Sequence, residues 1–178
     1  MNIPNFIYNN PVVNNINLSK HELTLLSSLE KYYCKNVDNF ILLTEIINSK
    51  SLISRRSIEF FVTNYCKMSN NYEKKYDTIN IYSSYKDQLK AFKKIYFDPF
   101  GRGTRIPFIF KDYYLITTIA QLNFYRWFFQ NNFYKYLIEN YSNIQKNIKL
   151  TKKKLSKKSQ LKNNYIVNRN INKVLVEF

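Results

Sequence analysis

The only two glycines of the chain stand on either side of one arginine, in the run Tyr96-Phe97-Asp98-Pro99-Phe100-Gly101-Arg102-Gly103-Thr104-Arg105. Glycine admits positive φ and lets backbone N–H groups approach an anion, while Arg102 and Arg105 carry guanidinium forks that match phosphate oxygens. The run meets neither the Walker spacing nor the dinucleotide fingerprint. It reads as a loop for phosphate contact, against the alternative of a tight turn whose arginines point to water.

The other residue types that perform chemistry are sparse. His21 is the single histidine and falls in the first turn of an expected helix, where it reads as a surface residue. Cys34 and Cys66 show no CxxC spacing, so one chain cannot assemble a structural zinc site, and two free thiols point to a reducing compartment. Glu73-Lys74-Lys75 resembles the acidic-x-Lys half of a nuclease site, but Asp98-Pro99 has the reverse order of the usual partner. With no recognisable base, nucleophile arrangement or carboxylate cluster, the chain reads as a non-enzyme without cofactor or metal.

What is abundant is positive charge. In 178 residues, 28 Lys plus Arg face 12 Asp plus Glu, a net charge of +16, and aromatic residues make up 17%. A chain so aromatic has enough apolar surface to fold, and its charge selects polyanionic partners over neutral metabolites. Residues 1–139 hold 18 basic and 11 acidic residues, whereas 140–176 hold 10 basic and none acidic. The expected division is therefore a polar leader at 1–17, a globular body at 18–145 and a lysine-rich extension at 146–178. In the extension Lys152, Lys153, Lys154, Lys157 and Lys158 would attract nucleic acid with strong salt dependence and little sequence selectivity. The A/T-rich codons shared by Lys, Asn, Ile, Tyr and Phe offer a compositional source for the same lysines.

These residues need elements to position them. Ser19 with Glu22 reads as a capping box opening a helix to about Cys34, and Asp38 as the cap of a second helix ending at Asn48. Ser54 starts a third, in which Ile58, Phe61, Val62, Tyr65 and Cys66 form a core stripe. Its opposite face carries Arg56, Phe60, Thr63 and Lys67, an aromatic ring between two cations, expected to serve as a contact surface or to lie under a second layer of the fold. Thr78 to Tyr82 alternates like a strand. Tyr85 to Lys94 reads as a helix that turns Lys86, Lys90, Lys93 and Lys94 outward.

Ile106–Phe110 and Tyr114–Thr117 read as a hairpin, with Pro107 at a sheet edge. Thr118 with Gln121 forms another capping box, opening a central helix to about Asn131 whose narrow polar stripe is Asn123, Arg126 and Gln130. Trp127 is read as core. Asn132 and Asn143 bracket a further helix, and Val174 to Phe178 is apolar enough to dock as a strand. The fold class is mainly helical α+β, a single domain with a small sheet or hairpin and a basic C-terminal extension. The amino terminus lacks a charged region followed by an apolar one, and the uncharged run Tyr113–Tyr125 is too short to span a bilayer, so no membrane span is expected.

The strings SRRSIEFFVTNY, INIYSSYKDQLKAF, FDPFGRGTRIPF and TTIAQLNFYRWFF, within Leu52 to Asn140, resemble a family of small uncharacterised basic proteins of large nucleocytoplasmic DNA viruses. That family often carries tryptophan where Phe60 stands, a Cys-Arg-Arg run near Gly101 to Gly103 and glycine at Ala120. Arg102 thus persists where the glycines do not. The resemblance carries no established activity. It implies a viral protein acting in the host cytoplasm or viral factory, with packaging in the virion.

Taken together, these features suggest a non-enzymatic nucleic-acid-binding protein working mostly through phosphate contacts. The contact residues are Arg102 and Arg105, then Arg56, Phe60 and Lys67, then Lys93 and Lys94 with the lysines of the extension. The alternative is a virion or assembly protein acting through contacts with viral protein partners.

Overall fold

Ser19 opens the first helix as its neighbours dictate. Its side chain accepts from the Glu22 N–H, and the Glu22 carboxylate accepts from the Ser19 N–H at 2.8 Å, so the capping box is complete. The structure is a computed structural model that describes residues 16–68, 80–110, 113–154 and 156. Helix α1 spans Lys20–Lys35 and buries Leu25, Leu26, Leu29 and Tyr33. A single residue, Asn36, separates it from α2, Val37–Ile47, which buries Phe40, Leu43 and Ile46. Asp38 is therefore not the cap: it lies in the first turn, and Asn36 holds the cap position without a side-chain capping bond, its amide donating back to the Tyr32 carbonyl instead.

Ser54 caps α3, Arg55–Phe60, by accepting from the Ser57 N–H. The helix then widens into a π turn at Phe61–Tyr65 and closes with Cys66–Met68. Ile58, Phe61, Val62 and Cys66 are buried as the stripe requires, with Tyr65 half-buried. Helix α4 spans Ile81–Phe92, and its cap Asn80 accepts from the Ser83 N–H. Ile81 and Tyr82 thus open a helix instead of closing a strand; Thr78 and Ile79 lie outside the described residues. Lys93, at φ 56, ends α4, and a 3-10 turn follows at Lys94–Tyr96.

Strands β1, Ile106–Phe110, and β2, Tyr113–Thr117, pair antiparallel with Ile106 opposite Thr117 and Phe108 opposite Leu115. Those four residues are the inward face. Helix α5, Ile119–Gln130, runs through the centre of the body, buried at all but Arg126 and Gln130. Around it aromatic rings interlock: Phe97 lies 5.3 Å from Phe124 and 5.4 Å from Trp127, and Trp127 lies 5.1 Å from Phe133 of α6, Phe133–Glu139. Two polar ends of this core are satisfied: the Tyr33 hydroxyl donates to the Leu122 carbonyl and the Trp127 indole donates to Ser84.

The fold is mainly helical with one two-stranded antiparallel sheet. The chain divides into two compact units, Met1–Glu139 and Asn140–Phe178. In the second, residues 141–154 are helical, with a turn at Asn140 where the sequence led us to expect one uninterrupted helix. The apolar run at 174–178 lies outside the described residues.

Among the described residues, buried side-chain atoms without a hydrogen bond include Glu30 Oε1 and the Tyr125 hydroxyl. Burial pushes the Tyr125 hydroxyl well above its ordinary pKa and raises Glu30 from 4.5 to about 6. The folded chain then holds the Glu30 proton more tightly than the unfolded chain does. Its contribution to stability is full below about pH 4.5 and is lost as pH rises through about 6. Glu30→Gln should accordingly raise the urea midpoint at pH 8, and the gain should shrink on acidification and vanish by pH 4; an equal gain at both pH values would exclude this titration.

Candidate functional site

The arginine loop is built by the polar side chains of the most buried helix. Thr118 caps α5 by accepting from the Gln121 N–H, yet the Gln121 side chain does not return to the cap as a capping box requires. It turns the other way: Nε2 donates to the Pro99 carbonyl at 3.2 Å, and Oε1 accepts from the Thr117 hydroxyl at 3.2 Å. Two residues on, Asn123 donates to the Tyr96 carbonyl at 3.0 Å and accepts from Arg126 at 2.8 Å. The Asp98 N–H donates to the Ala120 carbonyl. The segment from Tyr96 to Gly101 is therefore fastened to α5 along its length, and Asn123, expected on an outward polar stripe, is buried as a fastener.

Within this loop the glycines do different work from that expected of an anion-cradling backbone. Gly101 sits at φ +64, and a Cβ there would lie 2.5 Å from the Gln121 side chain, so close approach and conformation both demand glycine. Its N–H points to the Asp98 carbonyl, and the Phe100 N–H donates to Asp98 Oδ1. At Gly103 a Cβ would meet nothing within 4 Å.

Arg102 projects into solvent, with 68% of its side chain exposed, but its Nε lies 3.6 Å from Oδ2 of Asp98, whose side chain is 3% exposed. The pair gives a buried carboxylate its counter-charge and orients a guanidinium whose remaining donors face outward. Arg105 is exposed, as are Lys93 and Lys94, and among the described residues no carboxylate pairs with these three.

The second expected surface is reshaped by the π turn. A π turn accommodates in effect one extra residue, which rotates everything after it by roughly 100° relative to a regular α-helix. Arg56 stays exposed on the first turn of α3 and Phe60 is half-buried. Lys67, beyond the π turn, places Nζ 5.6 Å from the ring of Tyr82, and Lys86 places its own 5.7 Å from the same ring. Tyr82 and Lys86 form a contact group that the sequence analysis missed. Their i, i+4 spacing was available as the signal, once Tyr82 is seen to be helical.

In the second unit Lys152, Lys153 and Lys154 are exposed on the helix at 141–154, while Lys157 and Lys158 lie outside the described residues. Glu73-Lys74-Lys75 also lies outside them. Cys66 is buried and burial raises its thiol; Cys34 is half-buried, raised by burial and by Glu30. Among the described residues no group of three His, Cys, Asp or Glu could hold a metal ion, and no helix is long and apolar enough to cross a membrane.

A small cleft of about 110 Å³ opens beside the arginine loop. It lies between the start of α1, contributed by Leu18 and Glu22, the 3-10 turn at Ile95 and Tyr96, the loop at Gly103 and Thr104, and the first turn of α5.

The model of DUF7197, a family of unknown function, matches residues 9–175. The chain is similar to an uncharacterized protein of Acanthamoeba polyphaga mimivirus, 30% identical over 158 residues that cover 83% of this chain and 61% of that protein. It thus spans about three-fifths of the length of that relative. No solved structure matches.

The contrast between the loop's two glycines is testable by stability. Gly101→Ala combines positive φ with a steric overlap on Gln121 and should cost about 2–4 kcal/mol in urea unfolding. Gly103→Ala should change stability by less than about 0.5 kcal/mol. Equal losses at the two positions would refute the packing role given to Gly101.

Proposed function

The chain belongs to DUF7197, a family of unknown function, and we propose that within it this protein binds nucleic acid without enzymatic activity, chiefly through the phosphate backbone. The observation that carries the reading is a set of exposed cations without acidic company. Around the arginine loop Arg105, Lys93 and Lys94 are exposed with no carboxylate paired to them among the described residues, and the helix at 141–154 displays Lys146, Lys149, Lys152, Lys153 and Lys154 in a stretch, 140–176, free of Asp and Glu. Lysines on such a helix neutralise phosphates as point charges, whereas Arg102, oriented by Asp98, offers a fixed planar fork. Arg56, Phe60 and Lys67, joined by Tyr82 and Lys86, supply a second basic and aromatic surface. The similarity to a mimivirus protein supports a viral setting, and on this reading the protein works in the host cytoplasm, in the viral factory, and is packaged in the virion.

A second reading, a virion or assembly protein that docks on viral protein partners, is favoured by one feature. The outward face of the hairpin presents Tyr114 and Ile116, 56% and 43% exposed, beside a half-buried Ile109, with no charge among the three.

Salt dependence separates the two. Duplex binding by the full chain should weaken with log salt at about 0.9 per phosphate contacted. Replacing Lys146, Lys149, Lys152, Lys153 and Lys154 with Gln should lower that slope by up to about 4, and Arg102→Ala with Arg105→Ala by up to about 2. A chain that binds neither DNA nor RNA at low salt would overturn the reading in favour of the assembly role.

A further inference from the structure

The cleft beside the arginine loop is absorbed by neither the charge argument nor the phosphate contacts. Its walls are apolar at Leu18, Ile95 and Ile119, and Tyr96 adds a half-buried aromatic ring that leans on His21 at 5.1 Å. Its volume of about 110 Å³ is well below the roughly 300 Å³ at which pockets for whole cofactors begin, and near the roughly 150 Å³ cavity that holds benzene. A single planar ring fits this scale; a nucleotide does not.

The acidic residue of the cleft adds a direction of hydrogen bonding. Glu22 Oε2 is occupied by the N–H and hydroxyl of Ser19, at 2.8 and 2.7 Å. Among the described residues Oε1 receives no hydrogen bond, so Glu22 offers the cleft an acceptor only. A carboxylate acceptor next to a ring-sized apolar slot suits a base that bears an amino group, and cytosine N4 is such a donor. The chain supplies the neighbouring charges as well. Gly103 and Thr104 line the cleft, and the residues directly before and after them are the exposed Arg102 and Arg105. A base entering here carries its flanking phosphates toward those two arginines, which offset the charge of Glu22.

We propose that this cleft takes one unpaired, amino-bearing pyrimidine of a single strand, stacked on Tyr96 and hydrogen-bonded to Glu22, with the adjoining phosphates on Arg102 and Arg105. The inference rests on the nucleic-acid reading and adds to it a preference for single strands and for cytosine. A paired base cannot present its face to Tyr96, so duplex DNA is left to the phosphate contacts alone.

The test uses the full chain with single-stranded oligo-dC, oligo-dT and oligo-dA and a duplex of the same length at one salt concentration. Oligo-dC should bind roughly fivefold tighter than oligo-dT, the scale of one hydrogen bond. In Glu22→Gln the carbonyl oxygen stays with the Ser19 N–H and the NH2 group turns to the cleft, so the preference should reverse toward thymine, whose O4 accepts. Gly103→Leu puts a side chain into open space in the cleft wall and should abolish the single-strand preference while leaving duplex binding unchanged. If wild type binds all strands and the duplex alike, or if Glu22→Gln and Gly103→Leu leave the dC-to-dT ratio unchanged, the cleft proposal falls and the phosphate reading stands. Failure to bind any nucleic acid would overturn both.

Discussion

Gln121 is wholly buried on a helix whose buried side chains, apart from it and Asn123, are apolar or aromatic, and its amide is bonded at both ends. An amide taken out of water without partners costs a few kcal/mol, so the loop and the strand end have little choice but to meet it. Pro99 brings its carbonyl to the amide nitrogen, and Thr117 brings its hydroxyl to the amide oxygen. Gly101 is the residue small enough to pass over the Gln121 side chain. Asn123 repeats the device two residues on, at Tyr96. Loop, hairpin and central helix are thus a single polar-stitched assembly inside an aromatic core, and the arginines at its edge inherit its rigidity.

Local chemistry was legible in the sequence where it is encoded over three or four residues. Ser19 with Glu22, Ser54, Thr118 and the hairpin pattern at Ile106–Thr117 placed helix starts and strands correctly, because caps and alternation act through near neighbours. The misreadings share a cause. Gln121 satisfies the capping-box pattern, yet its side chain finds Pro99 and Thr117, which only tertiary structure brings near. Asn123 has the polarity of a surface stripe and the burial of a core residue for the same reason. Ile81 and Tyr82 alternate like a strand, but Asn80 is a helix cap, and a cap outweighs alternation over so few residues. Nothing in the composition of Phe61–Tyr65 announces a π turn.

At the candidate site the division is similar. The basic residues themselves were legible, since charge is a property of composition and most cations must reach solvent whatever the fold. Their grouping was not. Arg102 belongs with Asp98, a buried carboxylate whose location depends on the whole loop. Lys67 belongs with Tyr82 and Lys86 because the π turn redirects it. Arg56 and Phe60, on the near side of that turn, keep the orientation that a regular helix gives them.

The two classes of cation then differ in what they can discriminate. Lysines on the helix at 141–154 carry their charges on flexible stems, and among the described residues no carboxylate pairs with them, so on the proposed reading they would respond to the density of phosphates and little else. Arg102 lies beside Asp98 and directly precedes Gly103, a residue of the cleft whose one acidic group, Glu22, is held by the capping box of α1. On the proposed reading any base selectivity would arise there, because distinguishing one base from another requires donors and acceptors fixed to within a fraction of a hydrogen-bond length. The same capping box that starts the first helix therefore sets the geometry of the one acidic group in the cleft, and on that proposal a local rule of helix formation would become a determinant of what the cleft can recognise.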